Sequence, residues 1–279
     1  MNVTLILIAI SPVFWVCIGY EYIKHRHYYQ LKDSLTNTAL AILHQASDAV
    51  ALILLMPGFY WLHQFRIFDI ELNLVTVVGA FLLQDFLYYW FHRASHQVHW
   101  LWAAHVVHHS STYMNFSTAF RQSLMYPLAG MWLFWTPMIV VGFDPRFVFS
   151  VVALNLAFQF FVHTQVIGKL GWIEKVFNTP SNHRVHHAIN DGYIDRNFAG
   201  VLVIWDRWFG TYVEEDLNVP IKYGIIGQID SNNPLFISFH QWTYMLRELA
   251  QRHGIRARLK VIFGYPTSSL RSYSEIKEP

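Results

Sequence analysis

Cysteine is nearly missing from this 279-residue chain: one residue, Cys17, lies inside an apolar stretch. A disulfide framework is thereby excluded, and so is a thiolate cluster that could hold a metal. Charge is scarce too, with Asp, Glu, Lys and Arg making up 14% against roughly 25% in an ordinary soluble domain. The net charge of +2 and the lack of a basic run leave no electrostatic footprint for nucleic acid. No internal repeat or low-complexity segment is present. What is abundant instead is apolar surface: 54% hydrophobic residues and 17% aromatics. Aromatic rings concentrate where a protein meets the membrane–water interface. The composition therefore describes an integral membrane protein.

Five apolar stretches are long enough, or nearly so, to cross a hydrocarbon core. They run over 3–20, about 38–55, about 73–91, near 124–141 and 147–163. The first lacks the basic n-region and small-residue cleavage site of a signal peptide, so it reads as a retained span. The loop after it carries Lys24, Arg26 and Lys32, whereas the loop before the third stretch sets Arg66 against Asp69 and Glu71. The positive-inside rule then puts the 21–37 loop in the cytoplasm. Counting spans from there, the third stretch delivers His92, the fifth delivers His163, and the segment at 183–187 follows, all on the cytoplasmic face. From Glu214 the chain turns polar, and Pro234 to Arg252 has the pattern of an amphipathic helix whose arginines reach toward lipid headgroups. The expected fold is all-α: a polytopic bundle of about five spans with a cytoplasmic helical cap. Its expected divisions are N-terminal spans over 1–72, a catalytic unit over 73–213 and a polar, amphipathic region over 214–279.

Sixteen histidines stand out against this apolar background. His92 and His96 form H-x-x-x-H, while His105, His108 and His109 form H-x-x-H-H. His183, His186 and His187 repeat the second spacing, and His163 ends the fifth apolar stretch. On a helix, residues three or four apart share a face. Burying nine imidazoles without a cation would leave many donors and acceptors unpaired, at about 1–3 kcal/mol each. Nine nitrogens exceed the needs of one ion and suit two, with four or five ligands each. Imidazole accepts zinc, copper, iron or nickel. A dizinc hydrolase and a dioxygen-activating di-iron enzyme therefore both remain open, with a haem or metal carrier as a non-catalytic third reading.

Several polar residues fit around such a site. Asp85, seven residues before His92, is placed to orient an imidazole by accepting its free N–H. Asn155, Gln159 and His163 step by four along the fifth stretch as a polar stripe ending at the site, which reads equally as interhelical hydrogen bonding. Arg121, Arg184 and Arg196 could contact a phosphate, but pairing with Asp195 and Asp206 is the preferred reading. Trp90, Trp100, Trp102 and Phe198 could line the path of an apolar substrate, and interface anchoring explains the tryptophans equally well. His99 breaks the clustered pattern and is left out. His25, His27, His44, His63, His240 and His253 are isolated and read as structural, with His44 and Asp48 pairing in the second stretch.

The three clusters in this order resemble the fatty acid hydroxylase/sterol desaturase superfamily, integral membrane oxygenases with a histidine-rich di-iron site. The stretches NFSTAFRQS (115–123), NTPSNHRVHH (178–187) and IDRNFAGVLVIWDRWFGTY (194–212) resemble its glyceryl-ether-cleaving branch. The resemblance implies two iron ions on the nine histidines, dioxygen as oxidant and a lipid substrate drawn from the membrane. It further implies hydroxylation of the carbon beside the ether oxygen of an alkylglycerol, with tetrahydrobiopterin as reductant. No fused electron-transfer domain is visible, so a separate electron-transfer protein is the alternative donor. Hydroxylation and desaturation share an early hydrogen abstraction, and the residues do not separate a hydroxylase from a lipid or sterol desaturase.

Overall fold

The structure, a computed structural model, describes residues 3–266. Eleven α-helices and several 3₁₀ turns build it, and the described residues contain no β-strand, only isolated bridges such as Phe177 to Leu202. Helices α1 (Val3–Lys24), α2 (Leu31–His63) and α3 (Leu74–Gln97) form the apolar base. Two of them, α2 and α3, are long and apolar enough to cross a bilayer among the described residues. At 1.5 Å per residue they reach roughly 50 and 36 Å. Their exposed faces are oily: Ile42, Val50, Ile53 and Leu54 on α2, and Leu74, Val75 and Val78 on α3. The first expected span falls in α1, whose first side chains lie outside the described residues.

The fourth expected span is not one helix. Pro127 starts the four-residue α5 (Tyr126–Ala129), which stops at Gly130 in the left-handed region (φ 82). A 3₁₀ segment, Met131–Trp135, leads into α6 (Thr136–Val141), with Pro137 in its first turn and Gly142 ending it at φ 137. Proline lacks the amide that helix continuation needs, and glycine adopts positive φ without a Cβ penalty. A Cβ at Gly142 would collide with the Phe68 carbonyl, so this turn packs directly on the loop before α3. The fifth stretch becomes α7 (Pro145–Phe160), capped by the Asp144 side chain and only about 24 Å long, short of a ~30 Å hydrocarbon core. Phe59, Ala80, Tyr88, Phe91, Trp135, Met138, Ile139 and Val148 make the core where α2, α3, α6 and α7 meet.

The C-terminal end of α3 changes character. Ala80, Gln84, Asp85, Tyr88, Tyr89, His92, Ser95 and His96 are all buried there. Val98 is extended (φ −110, ψ 117) and breaks the helix, so α4 (His99–His109) turns back onto the end of α3. Two short helices, α8 (Pro180–His186) and α9 (Ile204–Trp208), close over this end. Beyond them α10 (Pro234–Gln251) packs Trp242 and Met245 against Ala103 and Ala104 of α4, and α11 (Ile255–Phe263) adds Val261. Buried ion pairs tie the parts together. Arg121 pairs with Asp33 of α2 at 3.2 Å, and Arg184 holds Glu215 through contacts of 2.9 and 2.6 Å. These partners differ from Asp195 and Asp206, which are engaged elsewhere.

Candidate metal centre

Nine histidines from α3, α4, the end of α7 and α8 converge into two groups. His92, His96, His105, His109 and His186 form one, and His108, His163, His183 and His187 form the other. Within each group the nitrogens offered as ligands lie within 4.8 Å of one another. Each H-x-x-H-H motif is split between the groups: His105 and His109 part from His108, and His186 parts from His183 and His187. The segment at 92–109 and the segment at 183–187 thus meet at one place in the fold. His99 belongs to neither group; its ring sits between the Val261 carbonyl at 3.0 Å and the Gln241 amide at 2.7 Å. His44 lies 3.4 Å from Asp48, as expected from their spacing.

Hydrogen bonding orients the rings. The Nδ1–H groups of His92, His108, His163 and His186 donate to the carbonyls of Phe198 (2.8 Å), Arg121 (3.1 Å), Gln159 (2.7 Å) and Arg196 (2.9 Å). His105 Nδ1 lies 2.9 Å from the Tyr126 hydroxyl, and His96 Nδ1 donates to the Asp195 carboxylate at 3.1 Å. A carbonyl only accepts, so these contacts fix the proton on Nδ1 and turn the Nε2 lone pair inward. Nε2 atoms then face one another: His92 and His105 at 3.0 Å, His108 and His163 at 3.1 Å, His163 and His183 at 2.9 Å. For His108 and His163 both protons are committed outward, so lone pair meets lone pair, which is repulsive unless a cation lies between. An ion about 2.1 Å from each nitrogen, with the two at right angles, would separate them by roughly 3.0 Å. The donor set and its spacing fit a pair of metal ions.

Burial keeps these rings uncharged, the form in which an imidazole ligates. The pKa values of His105, His108, His109, His183, His186 and His187 are all pushed well below the ordinary imidazole value, first by burial and then by neighbouring imidazoles. His163 is lowered to about 4, chiefly by burial. A metal ligand must be the neutral imidazole, so a dry site favours the ligating form. The Nδ1 of His183 and the Nε2 of His96 are buried without a hydrogen-bond partner.

The polar residues around the rings occupy different places from those expected. Asp85 does not reach an imidazole. It accepts from the amides of Val201 (2.8 Å) and Leu202 (3.0 Å), from the Trp205 indole (2.9 Å) and from Asn155 (2.9 Å). The helical face it shares with His92 is real, but His92 takes the nearer Phe198 carbonyl. Asn155 also donates to Gln84, and Gln159 bridges Asn155 and the Tyr88 hydroxyl, so their side chains serve α3–α7 packing. Gln159 touches the site only through its backbone carbonyl. Sequence reasoning gave Asp195, Arg196 and Phe198 other roles, in ion pairs and along a lipid's path, and missed that 195–198 supplies outer partners to His96, His186 and His92. Its only signal was position, since two of the three partners are carbonyls that any residue carries. A small cavity of about 60 Å³ opens beside His96, His109, His186 and His187, with Trp102, Ile194 and Ile225 at its rim.

The described residues thus combine two apolar helices of membrane-spanning length with nine buried imidazoles in two groups that could each hold a metal ion. Residues 77–211 match the model of the fatty acid hydroxylase family. Human alkylglycerol monooxygenase is 37% identical over 240 residues, covering 85% of this chain and 53% of that protein. The zebrafish (Danio rerio) alkylglycerol monooxygenase is 43% identical over 188 residues, 67% of this chain and 41% of that protein. The ornithine lipid hydroxylase OlsE of Rhizobium tropici is 27% identical over 187 residues, 67% of this chain and 53% of that protein. The chain thus spans about half the length of the curated relatives it matches. No solved structure matches it.

Proposed function

We propose that this protein is a membrane di-iron oxygenase that hydroxylates an aliphatic C–H bond of a lipid, with the ether-adjacent carbon of an alkylglycerol as the target. The observation that carries the proposal is the pair of imidazole groups whose Nε2 lone pairs face one another at about 3 Å while their Nδ1 protons are held outward. Relatives named as monooxygenases and hydroxylases favour oxygen insertion over hydrolysis. His92, His96, His105, His109 and His186 would hold one ion, and His108, His163, His183 and His187 the other. Two irons there would supply dioxygen reduction and C–H hydroxylation, using two electrons from an external donor, a tetrahydrobiopterin or a separate electron-transfer protein. Hydroxylation beside an ether oxygen leaves a hemiacetal, which breaks down to an aldehyde and the free glycerol.

The chain's own residues contribute geometry and dryness. Carbonyls of Phe198, Arg121, Gln159 and Arg196 hold four rings in the ligating tautomer. Tyr126 and Asp195 steady two more. Burial of all nine rings excludes bulk water, which protects a reactive oxidant from side reactions. Apolar Trp102, Ile194 and Ile225 at the cavity rim suit a hydrocarbon better than a polar substrate.

In the same proposal α1, α2 and α3 cross the bilayer, and α5 to α7 form a shallow hairpin that enters and leaves on one side. Lys24, Arg26 and Lys32 put the α1–α2 connection in the cytoplasm, so the end of α3, and the site with it, faces the inner leaflet. Residues 73–213 form the catalytic unit.

The test is metal analysis of detergent-purified protein together with turnover under ¹⁸O₂. Close to two irons per chain and one labelled oxygen in the lipid product are expected, with iron and activity lost together in His163→Ala and His186→Ala. Zinc with oxygen-independent turnover, a haem absorption spectrum, or full iron in both variants would overturn it.

A further inference from the structure

One stretch of chain, 195–202, supplies outer hydrogen-bond partners to three rings of the five-histidine group and, among the described contacts, to no ring of the other. Asp195 takes the proton of His96, the Arg196 carbonyl that of His186 and the Phe198 carbonyl that of His92. Three of five rings on one side are therefore held by four consecutive residues. The four-histidine group takes its known outer partners from Arg121 and Gln159, far away in sequence. Two buried carboxylates clamp this strap from behind. Asp206 accepts from the amides of Phe198 and Ala199, both at 2.8 Å, and Asp85 accepts from those of Val201 and Leu202.

Asp195 is distinctive on two independent counts. Its backbone is in the left-handed region, with φ 57, as is that of Asn197, with φ 55. Such conformations are uncommon away from glycine, and Asp and Asn are among the side chains that adopt them most readily. Its carboxylate is also the one charged group among the outer partners described for the nine rings. A carboxylate behind a ligating imidazole raises the basicity of the ring's other nitrogen, and its loss typically weakens metal binding 10–100-fold. His96 Nε2 is buried, points into its group and has no other partner. Both His96 and Asp195 line the small cavity.

We propose that Asp195 is a positioning residue that, through His96, makes the five-histidine position the more electron-rich of two inequivalent metal positions, and that the 195–202 strap tunes that position alone. The inference rests on reading the nine histidines as a two-ion site.

The test uses the full-length protein, freed of metal and titrated with Co²⁺ against a chromophoric chelator, with the ligand-field bands of the bound ion recorded. Asn tolerates the left-handed backbone and still offers a carbonyl to His96, so Asp195→Asn removes charge and little else. Wild type should take up two ions. In Asp195→Asn one position should weaken by about 10–100-fold with shifted bands, while the other stays as in wild type. Asp195→Ala, checked for a wild-type circular dichroism spectrum, should weaken the same position at least as much. Unchanged affinities and bands in Asp195→Asn, or equal weakening at both positions, would overturn the inference and leave the two-ion reading standing. Uptake of fewer than two ions by wild type would instead remove the two-ion reading, and this inference with it.

Discussion

Replacing Asp85 separates a structural clasp from a ligand-orienting group. The side chain is fully buried and accepts four hydrogen bonds, from the Val201 and Leu202 amides, the Trp205 indole and the Asn155 amide. Asp85→Ala leaves four buried donors without a partner, at about 1–3 kcal/mol each if nothing relaxes. Shared partners make such costs sub-additive, so the expected destabilisation is about 4–6 kcal/mol. Asp85→Asn keeps one acceptor oxygen but points an amide N–H₂ at donors, retaining about half of the bonds for a cost of roughly 2–4 kcal/mol. At roughly 2–4 °C per kcal/mol for a chain near this size, Asp85→Asn should melt roughly 5–15 °C below wild type, and Asp85→Ala lower still. Thermal unfolding in detergent, with bound metal measured on the fraction that stays folded, reads both effects. An Asp85→Ala protein melting within about 2 °C of wild type would refute the clasp. Loss of metal at unchanged stability would return Asp85 to a role at the imidazoles.

Two further outcomes follow from the same geometry. A Cβ at Gly200 would meet Asn155 Oδ1 at 2.8 Å, Tyr88 Cδ1 at 2.8 Å and Asp85 Oδ1 at 3.0 Å, so Gly200→Ala should wedge the strap off α3 and α7. A cost of about 1–3 kcal/mol is expected, read as a lower melting temperature, whereas Gly168→Ala, with an ordinary φ and open space around it, is the control. The second outcome concerns acid. His163 is lowered to about 4, so below the unfolded value near 6.5 the unfolded chain binds the extra proton and stability falls with pH. That one ring contributes about 3 kcal/mol across its window, and the other lowered imidazoles act in the same direction. Asp206, raised to about 6 by burial, has the opposite sign: stability declines as pH rises from 3.8 toward 6, which offsets about one histidine. Metal-free protein should therefore melt markedly lower at pH 5 than at pH 7.5, and a flat profile would contradict buried, neutral rings.

Much of the site was legible because its signal is local. Histidines at spacings of three and four share a helical face, and the single cysteine left no thiolate ligand set to compete with them. His163 was legible because it ends an apolar stretch. The fourth stretch is broken at Pro127, Gly130 and Pro137; the capacity of the two prolines to kink or shorten a span is legible in the sequence, while hydropathy averages over them. Asp85 was misassigned. Helical spacing tells which residues share a face, not which distant backbone amides will arrive there, and four donors from 155–205 arrived first.

By itself, then, the amino-acid order determined the helical, membrane-type character of the chain and the identity of nine imidazoles, since both depend on composition and short-range periodicity. Only the tertiary structure decided how those nine divide. Each H-x-x-H-H motif is shared between two groups because neighbouring rings on one helical turn diverge toward different partners across the fold. It also decided which nitrogen of each ring faces inward, because that choice belongs to carbonyl groups at Phe198, Arg121, Gln159 and Arg196. Every residue carries such a carbonyl, and only folding brings these four within reach of a ring.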